Sequence, residues 1–115
     1  ASLTGTGWIA TGINNGAEAV QSVGGGVEVT AAFAEDGTVS GSGGCNTFNG
    51  PYTTDGTAIA IGPLASTKMA CPELDQETAY LAALQAATTY EIAGDTLELR
   101  DDSGALQVSF TAAAP

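Results

Sequence analysis

The groups this chain brings to chemistry are two thiols, one thioether, one lysine and thirteen carboxylates, and it has no imidazole. Cys45 lies in the stretch GSGGCNTFNG at 41–50, and Cys71 lies in ASTKMACPE just beyond it. A cysteine nucleophile needs a base to generate its thiolate, and without histidine the usual dyad cannot be built; Lys68, the nearest basic group in sequence, is a poor substitute. A zinc or copper site needs three or four thiolate or imidazole ligands, which two cysteines and Met69 do not supply. Calcium would require an acidic loop of the D-x-[DN]-x-[DN]-G kind, and the Asp-Gly pairs here are isolated, as in hairpin turns. Carboxylate pairs can hydrolyse glycosidic bonds, but no pair is singled out by an adjoining aromatic or basic cluster. The glycines at 24–26 and 41–44 lack phosphate-loop spacing and suit a bulge or a close backbone approach instead. Two roles remain for the thiols. As a disulfide they would tie two distant segments together, a closure worth about 3.5 kcal/mol by loop entropy; as buried thiols they would be inert packing. Both remain open on these grounds, with the bridge ahead.

The formal charge of −11, with Lys68 and Arg100 the only basic residues, argues against nucleic acid and anionic membrane, which recruit clustered lysine and arginine. No stretch approaches the roughly 18 to 20 apolar residues of a membrane-spanning helix. The acidic residues are dispersed, which suits a self-repelling monomeric surface. The first residues, ASLTGTGW, have neither an initiator methionine nor a charged-then-apolar leader, consistent with a processed signal or a piece of a longer chain.

Short alternating runs must position whatever these residues do. In VEVTAAF, Val27, Val29, Ala31 and Phe33 share a face, and the same period recurs at Ile59 and Ile61, Tyr90 and Ile92, Leu97 and Leu99, and Leu106, Val108 and Phe110. The segments AEDGT, TTDGT, AGDT and DDSGA between them predict hairpin loops. One segment breaks the period: residues 72–88, free of glycine and rich in Ala, Leu, Gln and Glu, predict a single helix near 73–87. Leu74, Thr78, Tyr80, Leu81 and Leu84 outline its apolar stripe, and Glu73, Asp75 and Glu77 fall in an exposed first turn favoured by the helix dipole, behind Pro72. A mainly β domain of about eight short antiparallel strands and one helix avoids unpaired edges by closing into a small barrel with the helix across one opening. An open twisted sheet packed on the helix is the alternative, and the barrel is preferred. At 115 residues with few large apolar side chains, one domain with a small core is expected.

The motifs GSGGCNTFNGPYTTDG, IGPLASTKMACP and ETAYLAALQAATTYEIAGDTLELRDDSG, taken in order, resemble the META domain, the HslJ-like module of many bacterial envelope lipoproteins. The likeness runs through Trp8; Gly44, Cys45, Asn46, Phe48 and Gly50; Thr67, Lys68, Met69, Ala70 and Cys71; Glu77, Tyr80, Leu81 and Leu84; and Leu97 and Leu99, covering nearly the whole chain as a single domain, or one unit of a tandem protein. Lys68 stands where arginine is common in the family, and no lipobox cysteine is present. The resemblance implies a lipocalin-like barrel, a Cys45–Cys71 disulfide, and an extracytoplasmic location, whether secreted, periplasmic or as a cell-surface lipoprotein. It implies a link to heat shock or envelope stress but no catalytic residue. The function expected is non-enzymatic and without cofactor or metal: a module that binds or stabilises an envelope partner, or alternatively a carrier of a lipid or other hydrophobic ligand inside the barrel. Asn46 and Thr67 are expected to bond the loops that carry the two cysteines.

Overall fold

The alternating segments form strands because each has one apolar face to bury, and the Asp-Gly segments between them turn the chain back. The computed structural model describes residues 2–14, 20–22, 28–67, 69, 71 and 74–113. Its elements are β1 (Gly7–Asn14), β2 (Val20–Ser22), β3 (Thr30–Phe33), β4 (Thr38–Ser42), β5 (Thr47–Asp55), β6 (Ala58–Ile61), β7 (Ala65–Ser66), α1 (Leu74–Ala86), β8 (Thr89–Ala93), β9 (Thr96–Arg100) and β10 (Leu106–Ala112). Eight of the strands pair in the antiparallel order β1, β3, β4, β5, β6, β8, β9, β10, and β10 returns to β1 from Trp8↔Ala112 to Ile13↔Val108, closing a barrel. The barrel therefore forms in preference to the open sheet. Closure satisfies the edges of the ladder. Ala113 N–H extends it past β10, donating to Gly7 O at 2.8 Å. The narrowest seam lies between β6 and β8, where Ala58↔Thr89 is flanked by Ile59 N–H to Thr88 O at 3.0 Å and Tyr90 N–H to Thr57 O at 2.9 Å.

Two short strands lie off this path. β2 pairs with the end of β1, and β7 pairs with β5 at Phe48↔Ser66 and Asn49↔Ala65. β6 and β7 lie along the same edge of β5, separated by a jog at 62–64 where Gly62 N–H donates to Pro51 O at 2.9 Å.

The inward positions expected from the period-2 pattern largely face the core: Val29, Ala31, Phe33, Ile59, Ile61, Leu97, Leu99, Val108 and Phe110 are buried, while Tyr90, Ile92 and Leu106 are half-buried. Val27 and the glycines at 24–26 lie outside the described residues. A register shift in β10 between Leu106 and Val108 lets Gln107, outward by simple alternation, turn in. Its amide donates to Asp101 Oδ2 at 3.0 Å.

Helix α1 packs against β1, β6 and β10 and falls within the expected 73–87, but it buries a different face. Tyr80 and Leu84 go inward as expected, joined by Glu77, Ala83 and, just past the helix, Ala87, whereas Leu74 and Thr78 are exposed and Leu81 is only half-buried. Two apolar stripes compete on this helix, and the one holding the largest ring wins. Tyr80 sits edge-on to Phe48 and Phe110, with ring centroids 5.7 and 6.3 Å away, and its hydroxyl donates to Thr30 O at 2.8 Å. Near the β3–β4 turn, Leu3 is buried beneath Trp8, whose Nε1–H donates to Leu3 O at 3.1 Å.

Candidate functional site

The two cysteines are joined, Cys45 in the β4–β5 turn to Cys71 just before α1, with their Cα atoms 6.0 Å apart. Glu77 lies beside the bridge on the inner face of the helix, 3 % exposed. This corrects the expectation that it belongs to a solvated first turn: a single helical turn places it beneath Tyr80, so the burial of the ring carries the carboxyl inward with it. Its Oε1 accepts the backbone N–H of Asn46 at 2.5 Å and that of Cys45 at 3.3 Å, and its Oε2 accepts Asn46 Nδ2 at 2.7 Å. Every partner is a donor, so the group is used as a carboxylate.

Asn46, itself 2 % exposed, passes the connection onward. Its Oδ1 accepts from Thr67 Oγ1 at 2.8 Å and from Met69 N–H at 2.7 Å, and its Nδ2 also donates to Met69 O at 3.1 Å. One amide thus reads both backbone groups of Met69 and ties the β7–α1 connection to the helix through Glu77. The backbone before Cys45 is shaped for this arrangement. A Cβ on Gly43 would overlap the Glu77 side chain, and Gly44 adopts φ 104°, where a side chain is strained. Gly44 N–H is held by Ser42 Oγ at 3.1 Å.

Of the other motif residues, Trp8 and Phe48 are core, and Gly50 lets Leu64 and Pro63 O approach the β5 backbone where a Cβ would not fit. Lys68, Ala70, Pro72 and Glu73 lie outside the described residues. Asn46, Thr67, Met69, Glu77 and the two cysteines come together; Trp8 and Gly50 stand apart from them. Glu77 is the member that pattern reading misplaces, and its spacing of three from Tyr80 is the signal that could have found it. Among the described residues, no group of three or more Cys, Asp or Glu side chains converges as a metal site would require. Burial pushes the Tyr80 phenol well above its ordinary range.

Beside this network runs an open groove of about 470 Å³, walled by α1 on one side and by Ser66, Thr67 and Met69 on the other. The helix presents Leu74, Thr78, Leu81, Ala82 and Gln85 to it, so three members of the expected stripe, Leu74, Thr78 and Leu81, line the groove while Tyr80 and Leu84 face the core. Met69 is 58 % exposed and Leu74 39 %, the two large apolar side chains most open to solvent among the described residues.

A closed antiparallel barrel with one covering helix and a disulfide at the helix entrance defines a class of small β-barrel domains. The chain belongs to the META domain family, whose model matches residues 1–114. Among solved structures it is similar to a protein from Burkholderia xenovorans determined by NMR, with 25% identity and a TM-score of 0.75 over 98% of this chain and 85% of that one. It is also similar to a duf4847 family protein from Bacteroides vulgatus, with 25% identity and a TM-score of 0.55 over 72% of this chain and 57% of that one. A third structure, determined by NMR, shares the fold at 18% identity and a TM-score of 0.67, over 92% of this chain and 87% of that one. Comparison with curated protein sequences gives no match.

Proposed function

We propose that this domain is a non-catalytic binding module of the bacterial envelope, in keeping with the stress-linked role its family suggests, and that it engages its partner along the groove beside α1. The observation that carries the reading is the pair of exposed apolar side chains, Met69 and Leu74, set in a concave surface whose floor is held rigid by the Asn46–Glu77 network. An apolar groove on a stiff support is how binding sites are commonly built. Asn46 and Glu77 beside the groove are bonded to one another and to backbone groups, which supports a framework role for them. A bridged cysteine pair agrees with an oxidising compartment outside the cytoplasm, whether the protein is secreted, periplasmic or lipid-anchored. The rival reading places a hydrophobic ligand inside the barrel. Trp8, Phe33, Tyr80, Phe110, Leu97 and Leu99 already occupy that interior as fully buried side chains.

The test is titration with a neutral apolar probe, N-phenylnaphthylamine, followed by its fluorescence and by amide NMR shifts. Saturable binding with shifts at Met69, Leu74 and Leu81, lost in Ala82→Glu with the melting temperature unchanged, is expected; Ala82 is exposed on the groove wall. Shifts centred on Trp8 and Phe110 would establish the carrier reading in its place, and an absence of saturable binding would overturn both.

A further inference from the structure

The groove has one wall made of side chains and another made of backbone, and the backbone wall identifies what fits. β7 pairs with β5 alone, and Thr67 N–H donates to Thr47 O at 3.1 Å. In an antiparallel ladder successive residues point their amide and carbonyl to opposite sides, so if Thr67 and Ala65 face β5, Ser66 presents its N–H and C=O away from it, toward the groove that Ser66 lines. Among the described residues, no backbone hydrogen bond across that side is made by Ser66. A strand edge facing an apolar helix wall is the setting in which extended peptides add to a sheet, main-chain bonds supplying affinity and alternate side chains supplying selectivity. The charge selects among such segments. The chain carries thirteen acidic residues against two basic ones; Asp75, next in sequence to the groove-lining Leu74, is exposed, Arg100 is occupied by Glu98 at 3.1 Å, and Lys68 lies outside the described residues. A second copy of this chain would bring another −11 to the same place, so self-pairing is opposed while a basic segment is drawn in.

Building on the groove reading above, we propose that the occupant is an extended peptide segment of alternating apolar and basic residues. It pairs its backbone with Ser66, lays its apolar side chains on Met69, Leu74, Leu81 and Ala82, and turns its cations to the acidic surface.

The experiment uses three synthetic seven-residue peptides: one alternating lysine and valine, the same sequence with glutamate for lysine, and the lysine–valine peptide N-methylated at its valine amides. Expected are saturable amide shifts at Ser66, Met69, Leu74 and Leu81 with the first peptide, slowed hydrogen exchange at Ser66 N–H, and binding at least about tenfold weaker for each of the other two. Binding of the first should also weaken severalfold on raising salt, because exposed charges are screened. The variant Ala82→Lys, on the exposed helix wall, should lose the peptide while keeping its melting temperature. Equal binding of the N-methylated peptide overturns strand addition, equal binding of the glutamate peptide overturns the charge assignment, and shifts scattered away from the groove overturn the site. If N-phenylnaphthylamine binds the groove but no peptide does, this inference fails and the binding-module reading stands.

Discussion

Replacing Glu77 with glutamine keeps the size of the side chain and removes one acceptor, which isolates the contribution of its hydrogen bonds. Oε1 serves two backbone N–H groups and Oε2 serves Asn46 Nδ2, so the new NH2 must face a donor in either flip. If it takes the Oε2 place, one bond to the carboxylate is lost and two donors confront each other; if it takes the Oε1 place, two bonds are lost. A bond to a charged group is worth about 1.5–3 kcal/mol, and a stranded buried donor costs about 1–3 kcal/mol, so the milder flip predicts a loss of about 3 kcal/mol. For a domain of this size that is roughly a 10–15 °C fall in melting temperature. Glu77→Ala, which strands all three donors, should fall further, and Gly43→Ala should also destabilise because its Cβ meets the same carboxyl. The assay is thermal and urea unfolding followed by circular dichroism without reductant, so that the disulfide is constant across the set. A Glu77→Gln protein melting within about 2 °C of the parent, less than 1 kcal/mol on the same scale, would refute the claim that this network carries stability.

Reduction of the Cys45–Cys71 bridge, or Cys45→Ser with Cys71→Ser, should cost about 3.5 kcal/mol by the loop-entropy relation for a separation of 26, read as a lower urea midpoint; thiol titration of unfolded, unreduced protein should find none. Tyr80→Phe retains the packing between Phe48 and Phe110 and loses only the bond to Thr30 O, so it should cost about 1 kcal/mol in denaturant titration. Because burial raises the Tyr80 phenol in the folded state only, its contribution is intact below the unfolded value near 10 and declines as pH rises beyond it, and the parent should lose stability faster than Tyr80→Phe over that alkaline range.

What the sequence makes legible follows the range of each interaction. The hairpins are local: Asp and Gly at 36–37, 55–56 and 94–95, and Asp101 with Gly104, turn the chain wherever they stand, and the structure turns at each of them. The helix is nearly as local, and its predicted span contains the observed one. Its facing is a long-range matter. Leu74 and Leu81 are as apolar as Leu84, and only the pocket between Phe48 and Phe110 that receives Tyr80 decides which stripe goes inward. The burial of Glu77 follows from that decision, and a carboxylate counted alone gives no sign of the three N–H groups converging on it from a turn some thirty residues earlier. The shift that turns in Gln107 and the jog that makes β7 a separate strand are likewise set by partner strands. The motif positions are legible as a group, yet their division into core residues, framework and groove lining is set by tertiary contacts.

The bond from Ala113 N–H to Gly7 O means that the chain leaves the barrel where it entered. A domain with that geometry is a bead on a loop of string: a host polypeptide could carry it between two neighbouring residues of a surface turn without being pulled apart, and copies in series could swing about short tethers. Pulling on both flanking segments would load the hold on Leu3 and Thr4, through Trp8 and the Thr4↔Phe33 bridge, together with the Ala113 bond, before the β1–β10 ladder opens one pair at a time. Force applied through a host would therefore reach this domain first at Leu3 and Thr4 on one flank and at Ala113 on the other, far in sequence from the bridged cysteines, whose staple resists separation of a different pair of segments.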